Sequence, residues 1–266
     1  MTVDPYASVD ATPRAFLHRL NPLAKLAAPL PFMAWLLFVR DLWTPLAFLI
    51  VAVLLLLLGA QLSLRWITAL VVGIPLGVLV LSLSFGLWTD ASRVDSTTLL
   101  VQIGDYRFFS GAWLTGLATA LRLAAILALA LIPGLTTTGP DLVRASVQHL
   151  RVPYRIGYTA LAAYRFVPRF RHDLDHIRQA HRVRGVTGGA GPVAGIRRSF
   201  GYVVPLLAGA IRHAERVSFA MDSRAFGAHP TRTERHLVPL RARDAVFVGV
   251  FWIVGITLLV VAAGRG

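Results

Sequence analysis

Cysteine is absent from the 266 residues, which excludes disulfides and thiolate metal sites. Lysine occurs once, at Lys25, so the basic charge is otherwise carried by arginine. Charged residues make up only 15% of the chain, against roughly 25% in soluble domains. With 56% hydrophobic residues and a mean hydropathy of +0.63, that shortage excludes an ordinary soluble globule and points to membrane spans. Acids are scarcer still, 13 against 27 basic residues, for a net charge of +14.

The basic excess is concentrated. Residues 140–243 hold 18 arginines against six acids, so this block carries +12 of the net charge. Such a block suits nucleic acid, anionic lipid or an acidic protein groove. Its attachment to membrane spans makes nucleic acid the least fitting, and no nucleic-acid partner is expected.

The apolar runs are of membrane length. The first, about Leu23 to Val39, carries Pro29 and Pro31, and its uncharged core is short. Lys25 and Arg40 are therefore expected to snorkel to the two interfaces. Arg14, Arg19 and Lys25 ahead of it superficially resemble a signal peptide, but Arg40 and further apolar segments follow, so it reads as a retained span. Leu42–Leu64 and Trp66–Thr89 each exceed the roughly 20 residues that cross the hydrocarbon. A polar loop, Asp90 to Arg107, leads to a fourth span near Ala112–Pro133, and Ala245–Gly264 forms a fifth. The positive-inside bias places the arginine block and the N-terminus in the cytoplasm, with the C-terminus outside.

Within the block, Pro140-Asp141 starts a helix that Pro153 ends near Arg151. Ile156, Ala160, Ala163, Val167, Phe170, Leu174, Ile177, His181 and Arg184 then step by four and three along one face of a second helix. Pro168 should kink it, and Gly185 ends it. A third helix, with Pro205 in its first turns, repeats the stepping at Val203, Leu207, Ala210, Ala214, Val217, Met221 and Arg224. The two stripes are expected to pack together and to present their arginine ends side by side.

Each tip, Val183-Arg184-Gly185 and Ser223-Arg224-Ala225, has two readings. One arginine in a last turn ordinarily neutralises the helix dipole, for roughly 0.3–1 kcal/mol. Two in phase, each followed by a small residue, suit insertion into a partner, where a guanidinium forks onto carboxylate or carbonyl oxygens.

Other candidates weigh less. His172 and His176, with Asp173 and Asp175, have metal-site spacing but lack a further ligand set, and no metal is expected. His181 reads as packing. The run Gly188 to Gly195 has neither the Gly-Lys-Ser/Thr nor the preceding strand of a phosphate loop, so no ATP hydrolysis is expected. Arg122, costly inside a span at about 2.5–3.5 kcal/mol, is expected to face the bundle interior. A structural arginine bonded to backbone carbonyls is the preferred account. The sharper one is a contact that fixes the span or meets a partner.

The sequence resembles the transmembrane T component of energy-coupling factor transporters, modular importers of vitamins and metal ions. The similar stretches are Leu20-Asn21-Pro22-Leu23-Ala24-Lys25-Leu26, Arg122, Thr136-Thr137-Thr138, Arg165-Phe166-Val167-Pro168 and the two tips, Gln179 to Gly185 and Ala220 to Gly227. In that family an Ala-Arg-Gly-type motif ends each of two coupling helices and contacts one ATPase subunit. Val183 departs from the first motif, and Ser223 and Ala225 from the second; both arginines remain. The resemblance implies an all-α polytopic membrane protein with about five transmembrane helices and a cytoplasmic domain of about three coupling helices. Its parts would be an N-terminal segment (1–22), four spans (23–139), the coupling domain (140–243) and a last span (244–266). It further implies two ATP-binding cassette subunits and a substrate-binding membrane S component as partners, no cofactor, and a place in the bacterial cell membrane. An intramembrane enzyme built on His172, Asp175 and His176, and a self-sufficient channel or carrier, are the competing readings.

Overall fold

The computed structural model describes residues 16–89, 98–103, 106–185, 192–229 and 233–264. The run Gly188 to Gly195 lies largely outside them, as do the acids of the loop after Thr89. The fold is all-α apart from one small hairpin. By contact, Gly139–Val238 form one compact unit, and the described residues of 8–138 and Pro239–Gly266 form another.

The larger unit is the membrane unit. Its first apolar segment is two short helices, α1 (Pro22–Ala27) and α2 (Leu30–Leu36). Asn21 starts α1 by accepting the Leu23 N–H at 2.9 Å, with Pro22 in the first turn, where its missing donor costs nothing. Pro29 brings no N–H to the ladder, so the segment divides at Ala28-Pro29, and Pro31 sits in the first turn of α2. Next come α3 (Trp43–Gly59) and α4 (Leu64–Leu87), the latter with a wider π turn at Ala69–Gly73. Asp41 accepts the Thr44 N–H at 2.7 Å and so satisfies a free donor at the start of α3. Where a polar loop was expected, Leu99–Ile103 (β1) pairs antiparallel with Tyr106–Phe109 (β2), with a register shift between Leu99 and Val101. This hairpin leads straight into α5 (Ser110–Thr136), and α9 (Ala242–Ala263) closes the unit.

Three of these helices, α4, α5 and α9, are long and apolar enough to cross a membrane. The 17 residues of α3 reach about 25 Å, short of a hydrocarbon core of about 30 Å. Alanines at 120, 124, 125 and 128 line the buried side of α5 and let neighbours approach closely. A Cβ on Gly116 would sit 2.3 Å from the Ser82 carbonyl oxygen, so the α4–α5 crossing depends on that glycine. Phe32, Phe48, Leu56, Leu129, Ile132 and Phe251 fill the main core.

One end of this unit is tied by polar groups. The Asp244 carboxylate, 2% exposed, accepts the Asn21 N–H at 2.8 Å and the Arg241 N–H at 2.7 Å, joining the starts of α1 and α9. Lys25 does not snorkel. It is 1% exposed, and its Nζ donates to the Thr136 carbonyl at 2.6 Å. The negative end of α5 gives that ammonium a buried partner, which removes the reason to reach for water. Burial, and then the Lys25 charge, hold the nearby His18 imidazole below its ordinary pKa.

The smaller unit has three helices: α6 (Gly139–His149), α7 (Tyr154–Val183) and α8 (Pro192–Asp222). As expected, α6 has Pro140 and Asp141 in its first turn. After it the chain turns through Arg151 at φ 56° and restarts behind Pro153. At the α6–α7 crossing, a Cβ on Gly157 would meet Val147 Cγ2 at 2.2 Å, so a glycine is required there. The segment before the last span is fastened to α6: Val238 N–H donates to Gln148 Oε1 at 2.9 Å, and Gln148 Nε2 donates to the His236 carbonyl at 2.9 Å.

Candidate functional site: two arginine-bearing helix ends

Each arginine sits at a helix end directly before a residue of left-handed backbone. Arg184 follows the last residue of α7, and Gly185 beyond it turns left-handed at φ 69°. The Gly185 N–H donates to the Arg182 carbonyl at 3.1 Å. Arg224 lies just past α8, and Ala225 beyond it is left-handed at φ 52°. There the Ala225 N–H reaches the Asp222 carbonyl at 2.9 Å, and the Phe226 N–H reaches back to Met221 at 3.0 Å. These are the two bonds of a Schellman helix end, with the arginine as C-cap and the left-handed residue after it. Glycine takes that conformation freely, whereas Ala225 holds it against its Cβ.

The ends are exposed but differently braced. Val183 is 89% exposed, and Arg184 and Gly185 are exposed with it. Ser223, Arg224 and Ala225 are exposed too, but Phe226 turns inward against Tyr154 and Tyr158, ring centroids 5.8 and 6.3 Å away. Arg155 Nη2 donates to the Gly227 carbonyl at 2.6 Å, and the Tyr154 hydroxyl donates to the His229 carbonyl at 2.7 Å. The Tyr158 hydroxyl donates to Glu234 at 2.8 Å. Arg224 and Arg165 thus border an open groove of about 550 Å³, floored by these tyrosines and Phe226. The sequence reading missed this brace. Its signal was present as Tyr154 and Tyr158, four apart at a helix start, with Phe226 directly after the second tip.

The helices pair in opposite directions, which overturns the side-by-side arrangement of the tips. His181 meets the ring of Tyr202, Phe166 stacks on His213, and Tyr154 and Tyr158 meet Phe226. Arg184 and Arg224 therefore lie at opposite ends of a helix pair about 45 Å long, by the 30 residues of α7. Hydrophobic stepping tells which face packs, never which way the partner runs.

The stripes themselves hold near the tips and slip away from them. Leu174, Ile177 and His181 on α7, and Val217 and Met221 on α8, are half-buried as expected. Ile156, Val167, Val203 and Leu207 are exposed instead, while Leu206 and His213 take the contact. Helix α8 begins at Pro192, so Pro205 lies well inside it and not in its first turns. Pro168 is likewise internal to α7, where its ring removes one ladder bond.

The remaining candidates fall elsewhere. His172 and His176 are exposed, and their acids are engaged: Asp173 with Arg169 at 3.9 Å and Asp175 with Arg178 at 3.3 Å. Among the described residues no three metal-ligating side chains gather. The Nε of Arg122 is buried and has no hydrogen-bond partner among the described residues.

A family model described as CbiQ, cobalt transport protein, matches residues 13–235. The chain belongs to this family. Relatives share its length: a protein of Streptococcus equi named energy-coupling factor transporter transmembrane protein is 24% identical over 92% of this chain and 91% of its own. A Staphylococcus aureus protein of the same name is 28% identical over 92% of each. A Bifidobacterium longum protein named as an ABC transporter ATP-binding protein is 28% identical over 92% of this chain, which amounts to 32% of its own length. Membership and long apolar helices together make the chain a transmembrane, energy-coupling component of an energy-coupling factor transporter.

Proposed function

We propose that the chain transmits movements of two separate ATP-binding cassette subunits to a substrate-binding membrane S component, and itself makes or breaks no bond. The observation that carries this is the pair of exposed arginine C-caps at opposite ends of α7 and α8. Two ATPases need two seats well apart, and a helix pair about 45 Å long offers one at each end. Val183, Arg184 and Gly185 form one plug, and Ser223, Arg224 and Ala225 the other. The Bifidobacterium longum relative supports the partnership, since there a similar sequence is about a third of a chain named for ATP binding.

In this reading residues 140–243 are the coupling domain, facing the cytoplasm with the N-terminus in the bacterial cell membrane, as the arginine excess favours. Closing of the ATPases moves α7 and α8 as levers, and Pro168 lets α7 bend under that load. The apolar faces left open by the pair, Ile156 and Val167 on α7 with Val204 and Leu207 on α8, suit contact with the S component. That partner selects the cargo, a vitamin or a metal ion.

Replacing both arginines, Arg184→Ala with Arg224→Ala, tests the docking. The expected result is a protein still inserted in the membrane that no longer copurifies with ATPase and no longer supports uptake. Each single variant should retain one ATPase copy per chain. Unchanged copurification and uptake in the double variant would refute the role.

A further inference from the structure

The membrane unit contains a notch with two arginines and one carboxylate. Leu42 and Leu46, at the start of α3, pack with Ala120, Leu121 and Ala124 in the middle of α5. The first turns of α5 therefore continue past the beginning of α3, by about 15 Å for a helix ten residues longer (27 against 17). They leave a recess of about 530 Å³ bordered by Arg40, Asp41, Thr115, Thr119 and Arg122. It lies at the end of the unit away from Lys25, since α1 and α2 lead from Lys25 to Arg40.

Among the described residues, the groups bordering the recess leave its positive charge unspent. The Thr115 hydroxyl donates to Gly111 and that of Thr119 to Thr115, so neither offers a donor outward. Asp41 already accepts the Thr44 N–H. Arg122 Nε is buried without a partner among the described residues, and neither Arg122 nor Arg40 is ion-paired there. An unmatched guanidinium inside a span is costly enough to demand a counter-charge.

We propose that this recess binds the phosphate of a phospholipid headgroup between Arg122 and Arg40. A phosphate presents oxygens that a guanidinium forks onto, and Leu114, 51% exposed on the same wall, offers a track for an acyl chain. With Asp41 present, the described residues that border the recess carry one net positive charge. It therefore favours phosphatidylglycerol, whose headgroup is anionic, over phosphatidylethanolamine, which brings an ammonium next to two arginines.

The test is lipid retention and thermal protection with the full chain in mild detergent. After exhaustive delipidation and re-addition of phosphatidylglycerol, the wild type should retain about one lipid per chain and melt at higher temperature. Arg122→Gln should bind about tenfold more weakly, as expected for loss of a charge-assisted pair. Arg40→Gln, at an exposed position that leaves the core intact, should weaken binding several-fold. Phosphatidylethanolamine should protect less, and inorganic phosphate hardly at all. Protection by inorganic phosphate equal to that by lipid would overturn the lipid assignment. Equal retention by the wild type and both variants would overturn the site.

Discussion

At the end of α7 the chain turns left-handed at Gly185, where an added Cβ would meet nothing within 4 Å. At the end of α8 it makes the same turn through Ala225 and is caught by Phe226, Arg155 and two tyrosines. The geometry of the arginine is thus set locally in both places, by the same C-cap position, but its rigidity is not. The α7 end relies on glycine, which adopts a left-handed conformation without strain. The α8 end tolerates a strained alanine because tertiary contacts over-determine the turn. In the coupling role proposed above a lever needs a stiff end to deliver force, and the side-chain clamp is what would supply it at Arg224.

Removing the clamp should have the largest effect on this contrast. Phe226→Ala takes away a ring held between Tyr154 and Tyr158, for about 2 kcal/mol at a half-buried site, below the 3–5 kcal/mol of a fully buried one. Amide exchange should rise at residues 222–229 and stay unchanged at 178–185. ATPase retention dependent on Arg224 should fall, while that dependent on Arg184 persists. Equal loosening of both ends would mean that the ends are not independently supported.

The clamp also marks where the sequence stopped being informative. Some helix starts and stops were legible because they are chemical: Pro140-Asp141, Pro153 and Gly185 act through backbone donors and φ, which need no partner, whereas Pro205 marked no start, since α8 already runs from Pro192. Three of the five expected membrane spans, α4, α5 and α9, were legible through sheer apolar length; the first segment is two short helices and α3 has 17 residues. Packing was legible only in part. On α7 and α8 more than one side is apolar or small, so Val203 and Leu207 competed with Leu206 for the contact face, and spacing alone could not choose. Lys25 was misplaced for a similar reason: its partner, the Thr136 carbonyl, is 111 residues away in the chain.

The α7 end should be the more sensitive to its own left-handed residue. Gly185→Ala imposes a Cβ at φ 69°, at a cost of about 1–2 kcal/mol. Fraying of the last turn of α7, seen as faster exchange at 182–185, is the expected readout, together with weaker ATPase retention. An unchanged exchange profile would show that the turn after Arg184 is set by something other than the glycine.

The converse substitution has the smallest effect and the opposite sign. Ala225→Gly relieves a Cβ held at φ 52°, while the unfolded chain gains freedom that offsets part of the benefit. Relief of left-handed strain is worth about 1–2 kcal/mol, and the added entropy of a glycine about 0.4–1 kcal/mol, so a net stabilisation below about 1 kcal/mol is expected. The bonds from Ala225 and Phe226 are made by backbone N–H groups and survive the change, so Arg224 keeps its place and ATPase retention stays at the wild-type level. A small rise in melting temperature with unchanged docking would show that this end carries strain its clamp holds in check. A fall would show instead that the Ala225 methyl contributes contact in the groove beside Arg224, and that the clamp extends one residue further than Phe226.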